Sequence, residues 1–138
     1  MNRSLELFNK FPKLCEYGLM PTNKCNQPIA WFGIECDCGW YNIIETTLTK
    51  IKKYLEKYNI QNLVKVVQIK EKFGGLRLYI ECENFDTKHR NIIYKFITIA
   101  EKKAEKTCEV CGCDGKLRIG DWLKTLCGDC YIKQNKTK

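Results

Sequence analysis

The clearest pattern of apolar and polar residues lies between residues 40 and 58. Apolar side chains recur there every three or four positions, which is the spacing of one face of an α-helix. The residues on this face are Trp40, Ile44, Leu48, Ile51, Leu55 and Tyr58. Charged residues such as Lys50, Lys53 and Glu56 lie away from it, so the pattern predicts a long helix with one buried side.

Two further helices are predicted from similar spacing. Ser4 is the candidate N-cap of a short helix over residues 4–11. Asp86 or Thr87 would cap a second long helix that ends near residue 106. The predicted buried stripe of that helix is Ile92, Ile93, Phe96, Ile99 and Ala100.

A β-hairpin is predicted between the two long helices. Residues 63–70 are rich in β-branched side chains, and residues 76–82 alternate apolar with polar ones. The linking residues EKFGG supply two glycines that can take positive φ at the turn. Residues 15–39 are punctuated by proline and glycine and are expected to be irregular. The predicted fold class is therefore α+β, with two main helices packed on a short antiparallel sheet.

The length of the chain and its cysteine content favour one small core with a metal-binding module. The 138 residues are divided here into an α+β core, residues 1–106, and a zinc-binding module packed on it, residues 107–138. No apolar run approaches the roughly 20 residues that a membrane span needs, and the start of the chain lacks an export signal. A cytoplasmic protein is expected, and ten cysteines in a reducing compartment favour metal binding over disulfides.

Four cysteines near the end of the chain have the spacing of a zinc site. Cys108 and Cys111 form one Cys-x2-Cys pair, and Cys127 and Cys130 form another after fifteen intervening residues. Each pair can turn its sulfurs toward one point about 2.3 Å away, so two pairs complete a tetrahedron. Cys113 is the spare thiol. Four protein ligands leave no open coordination position, so a single structural zinc ion is predicted.

The residues around these ligands predict a treble-clef-like module. A hairpin turning at Gly120 and Asp121 would separate the two cysteine pairs, and YIKQNK would form a short helix after the second pair.

A second metal site is considered at Cys25, Cys36 and Cys38, with His89 or Cys15 as a fourth ligand. The alternative is that these cysteines are buried free thiols that pack as small apolar side chains.

The net charge of +8 indicates an acidic partner, but the cations are spread along the chain. Four arginines stand against twenty lysines, although nucleic-acid recognition often uses the planar arginine fork. Basic residues and aromatic residues alternate on the predicted hairpin and recur in the zinc module. These candidates for binding a partner or a nucleic acid are Lys70, Lys72, Phe73, Arg77, Arg118, Trp122 and Lys124. The alternative is structural, with Phe73 folded back over the hairpin and Trp122 covering the metal site.

Catalytic chemistry has little support in the sequence. Glu35 and Asp37 flank Cys36 and form the only carboxylate pair considered for a metal-dependent hydrolase. Residues two apart on an extended segment share a face whatever their function, so this pair is a weak signal. The single histidine, His89, lies at a charged helix start and is expected to be a surface residue. No catalytic residue is assigned.

Three passages occur together in this chain: FGIECDCGWYNII, VVQIKEKFGGLRLYI and AEKTCEVCGCDGKLRIGDWLKTLCGDC. In this order, with the motifs IKEKFGGLR and CEVCG…WLKTLCxxC, the chain resembles a family of small uncharacterised proteins of phages, prophages and bacterial genomes. The resemblance covers roughly residues 8–131. Glu35, Cys36, Gly39 and Trp40 match the family's usual first passage, GFECGDGW, whereas Cys38 departs from it. That departure weakens the case for a second metal site.

The resemblance implies a phage-type protein that acts in the host cytoplasm by binding host machinery. We expect a non-catalytic zinc-binding protein that binds a host protein or nucleoprotein complex, for example as an anti-CRISPR or other anti-defence inhibitor. Zinc would stiffen the module so that Arg118, Trp122 and Lys124 present a preformed surface. The alternative is direct binding of DNA or RNA by the basic hairpin and the zinc module, and a metal-dependent hydrolase is the third hypothesis.

Overall fold

A computed structural model describes residues 3–136, which form five α-helices and five short β-strands. The helices are α1 (Arg3–Lys10), α2 (Pro28–Phe32), α3 (Tyr41–Lys57), α4 (Thr87–Ala104) and α5 (Gly128–Lys136). The strands are β1 (Ile34–Glu35), β2 (Val64–Lys72), β3 (Gly75–Cys82), β4 (Lys116–Arg118) and β5 (Lys124–Leu126). The fold is mixed α+β, as predicted. Within residues 3–136, no helix is both long enough and apolar enough to cross a bilayer.

The core lies between the long helices and the three-stranded sheet. Helix α3 buries Ile44, Leu48, Ile51 and Leu55 of the predicted face, and Trp40 is fully enclosed directly before it. Tyr58, predicted on the same face, follows the helix and is 44% exposed. Residues from α1, α2 and the sheet join the same apolar cluster. The prediction of α3 from its apolar spacing is therefore confirmed.

Helix α4 begins at the predicted cap, where the Asp86 carboxylate accepts a hydrogen bond from the Lys88 backbone N–H. Its buried stripe is shifted from the predicted one, because Ile93 and Ala100 are buried but Ile92 and Phe96 are only partly buried. Ile97 is buried and Ile99 is exposed, so the stripe runs through Ile93, Ile97, Ala100 and Ala104. Both residues are isoleucine, so composition did not distinguish the buried position from the exposed one.

The three-stranded sheet is mixed, which corrects the prediction of a purely antiparallel sheet. Strands β2 and β3 pair antiparallel as predicted, and the order across the sheet is β1, β2, β3. The short strand β1 pairs parallel to β2, with Ile34 opposite Ile69. Residues 15–39 also contain helix α2 and are therefore less irregular than expected.

Ser4 lies inside α1 and is not its N-cap, contrary to the prediction. Its hydroxyl oxygen accepts a hydrogen bond from the Ile34 backbone N–H at 3.0 Å. This bond fastens α1 to the start of β1, and both partners are buried.

The turn of the β2–β3 hairpin is formed by Phe73 and Gly74, with φ values of 55° and 84°. Two consecutive positive φ values are typical of a type I′ turn. The expectation that two glycines would supply the turn is therefore wrong, because Gly75 begins β3 and a phenylalanine occupies the first turn position.

Candidate metal centre

The four cysteines chosen from their spacing converge in the structure. The sulfur atoms of Cys108, Cys111, Cys127 and Cys130 all lie within 4.8 Å of one another. A tetrahedral zinc–thiolate site with bonds of about 2.3 Å places its sulfurs roughly 3.8 Å apart. The Cys111 and Cys127 sulfurs are 3.6 Å apart. The four residues are therefore close enough to hold a metal ion such as zinc.

The local chain places the two pairs as the sequence predicts. The hairpin of β4 and β5 separates them, and α5 carries Cys130 in its first turn. Gly112 follows Cys111 with φ of 85°, and its N–H donates to the Cys108 carbonyl at 3.0 Å. A side chain at this position would be strained, so the glycine permits the tight turn around the sulfurs.

Hydrogen bonds favour the thiolate form of the innermost ligand. Burial alone raises the pKa of Cys108, but hydrogen bonds from the backbones of Cys111, Cys127 and Val110 outweigh it and lower the pKa to about 6. The pKa of Cys130 is raised to about 12, by burial and by its sulfur neighbours. Because the sulfurs lie close together, the negative charge of one thiolate disfavours deprotonation of the next. A divalent cation bound among them would offset this repulsion.

The first cysteine pair is bound to the segment that precedes α3. The Gly39 N–H donates to the Glu109 carbonyl at 2.7 Å, and the Trp40 indole N–H donates to the Thr107 carbonyl at 2.8 Å. Gly39 is so close to residues 107–109 that a Cβ there would overlap the carbonyl oxygens of Cys108 and Glu109. The metal ligands therefore rest directly on residues 37–40 of the core.

Glu109 is buried at this junction, with 3% of its surface exposed. One carboxylate oxygen accepts from the Asp37 backbone N–H at 3.0 Å, and the other has no hydrogen-bond partner among the described residues. Lys124 lies beside both acids and pairs with Asp37 at 3.2 Å. Burial lowers the pKa of Lys124, but the Glu109 and Asp37 charges raise it by more. Lys124 is therefore the local counter-ion of the junction.

The tip of the β2–β3 hairpin makes the second contact with the module. The Thr125 hydroxyl donates to the Gly74 carbonyl at 2.6 Å, and this bond is buried. A Cβ on Gly74 would lie 2.5 Å from a methyl group of Leu117. The two hairpins are thus packed against each other at Gly74.

Replacing Thr125 by valine is expected to lower the free energy of unfolding by about 1–3 kcal/mol, because the buried Gly74 carbonyl would lose its donor. Chemical denaturation of the metal-loaded protein measures this change. Thr49→Val is the matched control, since the Thr49 hydroxyl bonds to the Glu45 carbonyl inside α3. The control should change stability by less than about 0.5 kcal/mol, and an equal loss in both variants would contradict the role given to Thr125.

The candidate binding residues of the module divide into two groups. Arg118 lies over the Tyr131 ring at 4.6 Å and donates to the Leu126 carbonyl, and Lys124 is held by Asp37. Both cations are partly buried and engaged within the protein, and their part in binding a partner together with Trp122 stays a prediction. Trp122 is 70% exposed, which does not favour the structural alternative in which it covers the metal site.

The candidates on the β2–β3 hairpin do come together. Lys70 and Arg77 are directly opposite each other, and Lys72 adjoins Phe73 at the turn. Phe73 is 70% exposed, so the alternative in which its ring folds back over the hairpin is wrong.

The second metal site is not formed. Across residues 3–136, Cys108, Cys111, Cys127 and Cys130 make up the one group of three or more metal-ligating side chains that converge. Cys25 is buried, and Cys36 is partly buried against the apolar core, and neither joins Cys38 in such a group. Burial raises the pKa of the Cys36 thiol well above its usual range, and the exposed Cys38 thiol points to the Val110 carbonyl.

The side chains considered for catalysis have partners within the protein. Glu35 accepts a hydrogen bond from the Gln68 amide at 3.0 Å, and Asp37 pairs with Lys124. His89 lies 2.7 Å from the Tyr54 hydroxyl in a cluster of aromatic rings, so it is less exposed than expected.

Sequence reasoning missed the residues that join the module to the core. Glu109 and Thr125 gave no signal because each is a single polar residue whose partner lies far along the chain. Gly39 is one of several glycines in a segment that is expected to be irregular, so it does not stand out in the sequence. The one available signal was the resemblance, which included Gly39 in a matched passage without giving it a role.

Comparisons of the chain with protein-family models, with curated proteins and with solved structures find no match. The function is therefore inferred from the residues of the site.

Proposed function

We propose that this protein is a non-catalytic binding protein whose C-terminal module is held by one structural zinc ion. The four converging sulfurs are the observation that carries this proposal. Four thiolates satisfy tetrahedral zinc and leave no position for a substrate or a water molecule. The order of cysteine pair, hairpin and helix-borne pair supports a treble-clef-like arrangement.

The contacts at the base of the module support a binding role. Thr125 and Glu109 fix the module to the core on two sides, while the far end of its hairpin remains in solvent. There, Ile119 is 82% exposed and Trp122 is 70% exposed. A rigid element that presents large apolar side chains loses little entropy when a partner covers them, and tryptophan is a frequent hot-spot residue.

The nature of the partner is proposed from the motif resemblance. Small phage-type proteins act on host machinery, so we place the protein in the host cytoplasm, bound to a host protein or nucleoprotein complex as an anti-defence inhibitor. Ile119 and Trp122 would form the apolar centre of that interface.

Capture from host-cell lysate tests this role when surface variants are compared. The zinc-loaded protein should retain a specific host protein after nuclease treatment, and the double variant Ile119→Ser, Trp122→Ser should lose most of it. Ile99→Ser removes another exposed isoleucine from α4 and is the control that should leave retention unchanged. Equal retention by all three proteins, or no retained protein, would contradict the proposed interface.

A further inference from the structure

Phe73 is an unusual residue for its place in the hairpin turn, because neither its backbone conformation nor its burial favours a phenylalanine there. Its φ of 55° lies in the left-handed region, which bulky L-residues rarely adopt. Asparagine or glycine is the ordinary choice at this place in a type I′ turn. The ring is also 70% exposed, so little apolar burial offsets the strain. Residues held in such conformations are often functional.

The backbone of the turn is firmly held. The Gly74 N–H donates to the Glu71 carboxylate at 2.7 Å, and the Gly74 carbonyl accepts from Thr125 at 2.6 Å. Leu117 of the metal-binding module packs against the same glycine. Phe73 is therefore displayed on a rigid support and would lose little conformational freedom on binding a ligand.

Three cations without ion-pair partners lie on the two strands that lead to this turn. Lys70 and Arg77 lie directly opposite each other on β2 and β3, and Lys72 lies over the Phe73 ring at 5.6 Å. In the part of the chain that the structure describes, no carboxylate oxygen lies within 4.0 Å of these three cations. Like charges directly across a sheet repel each other, and an anion bound between them would relieve the repulsion.

Acidic neighbours only partly offset these charges. Glu35 is beside Lys70 in the sheet but is hydrogen-bonded to Gln68. Burial raises the pKa of Glu101 on α4, and the nearby Arg77 charge offsets part of that rise. Glu81 projects from the same side of β3 as Tyr79 and accepts a hydrogen bond from the Tyr17 hydroxyl. The cations are therefore concentrated at the turn end of the face, whereas the carboxylates lie on β1, on α4 and at the far end of β3.

A second exposed ring lies on the same face. Tyr79 is two residues from Arg77 on β3, so both side chains project from the same side of the strand. The partner of Tyr79 across the sheet is Gln68, an uncharged residue. The face thus combines two exposed aromatic rings with three unpaired cations.

We propose that this face binds single-stranded nucleic acid without sequence preference. Phosphates would lie at Lys70, Lys72 and Arg77, and bases would stack on Phe73 and Tyr79. A single strand is favoured over a duplex because its unstacked bases offer their flat faces to the rings. The inference extends the proposed binding role to the nucleic-acid part of a nucleoprotein complex. It uses residues other than Ile119 and Trp122, so either proposal can fail alone.

Fluorescence anisotropy with labelled oligo-dT and oligo-U, and with a mixed-sequence duplex of equal length, tests this inference on the zinc-loaded full chain. Both single strands should bind more tightly than the duplex, with affinity that falls as salt rises. Phe73→Asn should weaken single-strand binding roughly tenfold or more by removing a stacking ring. Asparagine suits positive φ, so this variant should unfold at the same or a higher temperature than the parent.

The charges are tested with a matched pair of double variants. Lys70→Gln with Arg77→Gln should reduce the slope of log affinity against log salt by roughly 1.4, or about 0.7 for each lost phosphate contact. Lys53→Gln with Lys102→Gln makes the same change in net charge on α3 and α4 and should leave the slope nearly unchanged.

Three results would overturn the inference. The first is the absence of single-strand binding at low salt, which would leave a protein as the partner of this face. The second is duplex binding as tight as single-strand binding, and the third is a Phe73→Asn protein that unfolds at a lower temperature, because the ring would then be structural.

Discussion

Replacing Cys108 by serine is expected to abolish metal binding and unfold the C-terminal module. Cys108 is fully buried, and its backbone N–H donates to the Cys113 carbonyl at 2.7 Å, so it lies at the base of the site. In small zinc domains, the apparent free energy of zinc binding is roughly 10–16 kcal/mol. The folded structure of a short module depends largely on this binding free energy. Zinc content and hydrogen exchange of residues 107–136 measure the two effects.

Cys113→Ser is the matched control for this prediction. Cys113 lies two residues from Cys111 in the same segment, but it is exposed and outside the group of four converging sulfurs. The control protein should keep its zinc and the protection of its amides. Loss of zinc from both variants would show that the ligand set is different, and zinc retained in Cys108→Ser would contradict the site.

Gly39→Ala is expected to destabilise the protein strongly, because Gly39 is in close contact with the segment that carries the first two ligands. The added Cβ would overlap two backbone carbonyl oxygens, those of Cys108 and Glu109, and neither can move without disturbing the ligand segment. Forcing the two segments apart would also break the hydrogen bond from the Gly39 N–H to the Glu109 carbonyl. We expect a cost on the order of 3 kcal/mol, with weaker zinc binding as well.

Gly120→Ala provides the comparison, because a Cβ at Gly120 would meet nothing within 4 Å. Denaturation midpoints and competition with a zinc chelator should separate the two alanine variants clearly. Equal stability and equal zinc affinity in the two proteins would mean that the module does not depend on its contact with residues 37–40.

The sequence was sufficient for features that depend on local spacing. Helix α3 follows from an apolar residue every three or four positions, and the Asp86 cap follows from its place before the second stripe. The metal ligands follow from two Cys-x2-Cys pairs, because the short spacing itself brings each pair of sulfurs together.

Features that depend on distant contacts could not be predicted in the same way. Strand β1 has only two residues and is defined by its pairing with β2. Two residues are too few to show an alternation of apolar and polar side chains. Lys124, a candidate for binding a partner, is held by Asp37, which lies 87 residues away in the sequence. The prediction of two glycines at the turn rests on the readiness of glycine to take positive φ. In the structure, Phe73 takes positive φ at the first turn position instead.

Elemental analysis of the protein purified under reducing conditions tests the central claim most directly. The account predicts about one zinc ion per chain. A triple variant with Cys25→Ser, Cys36→Ser and Cys38→Ser should keep this ion, and a double variant with Cys127→Ser and Cys130→Ser should lose it. A protein that binds no zinc, or one that loses a second equivalent in the Cys25, Cys36, Cys38 variant, would contradict it.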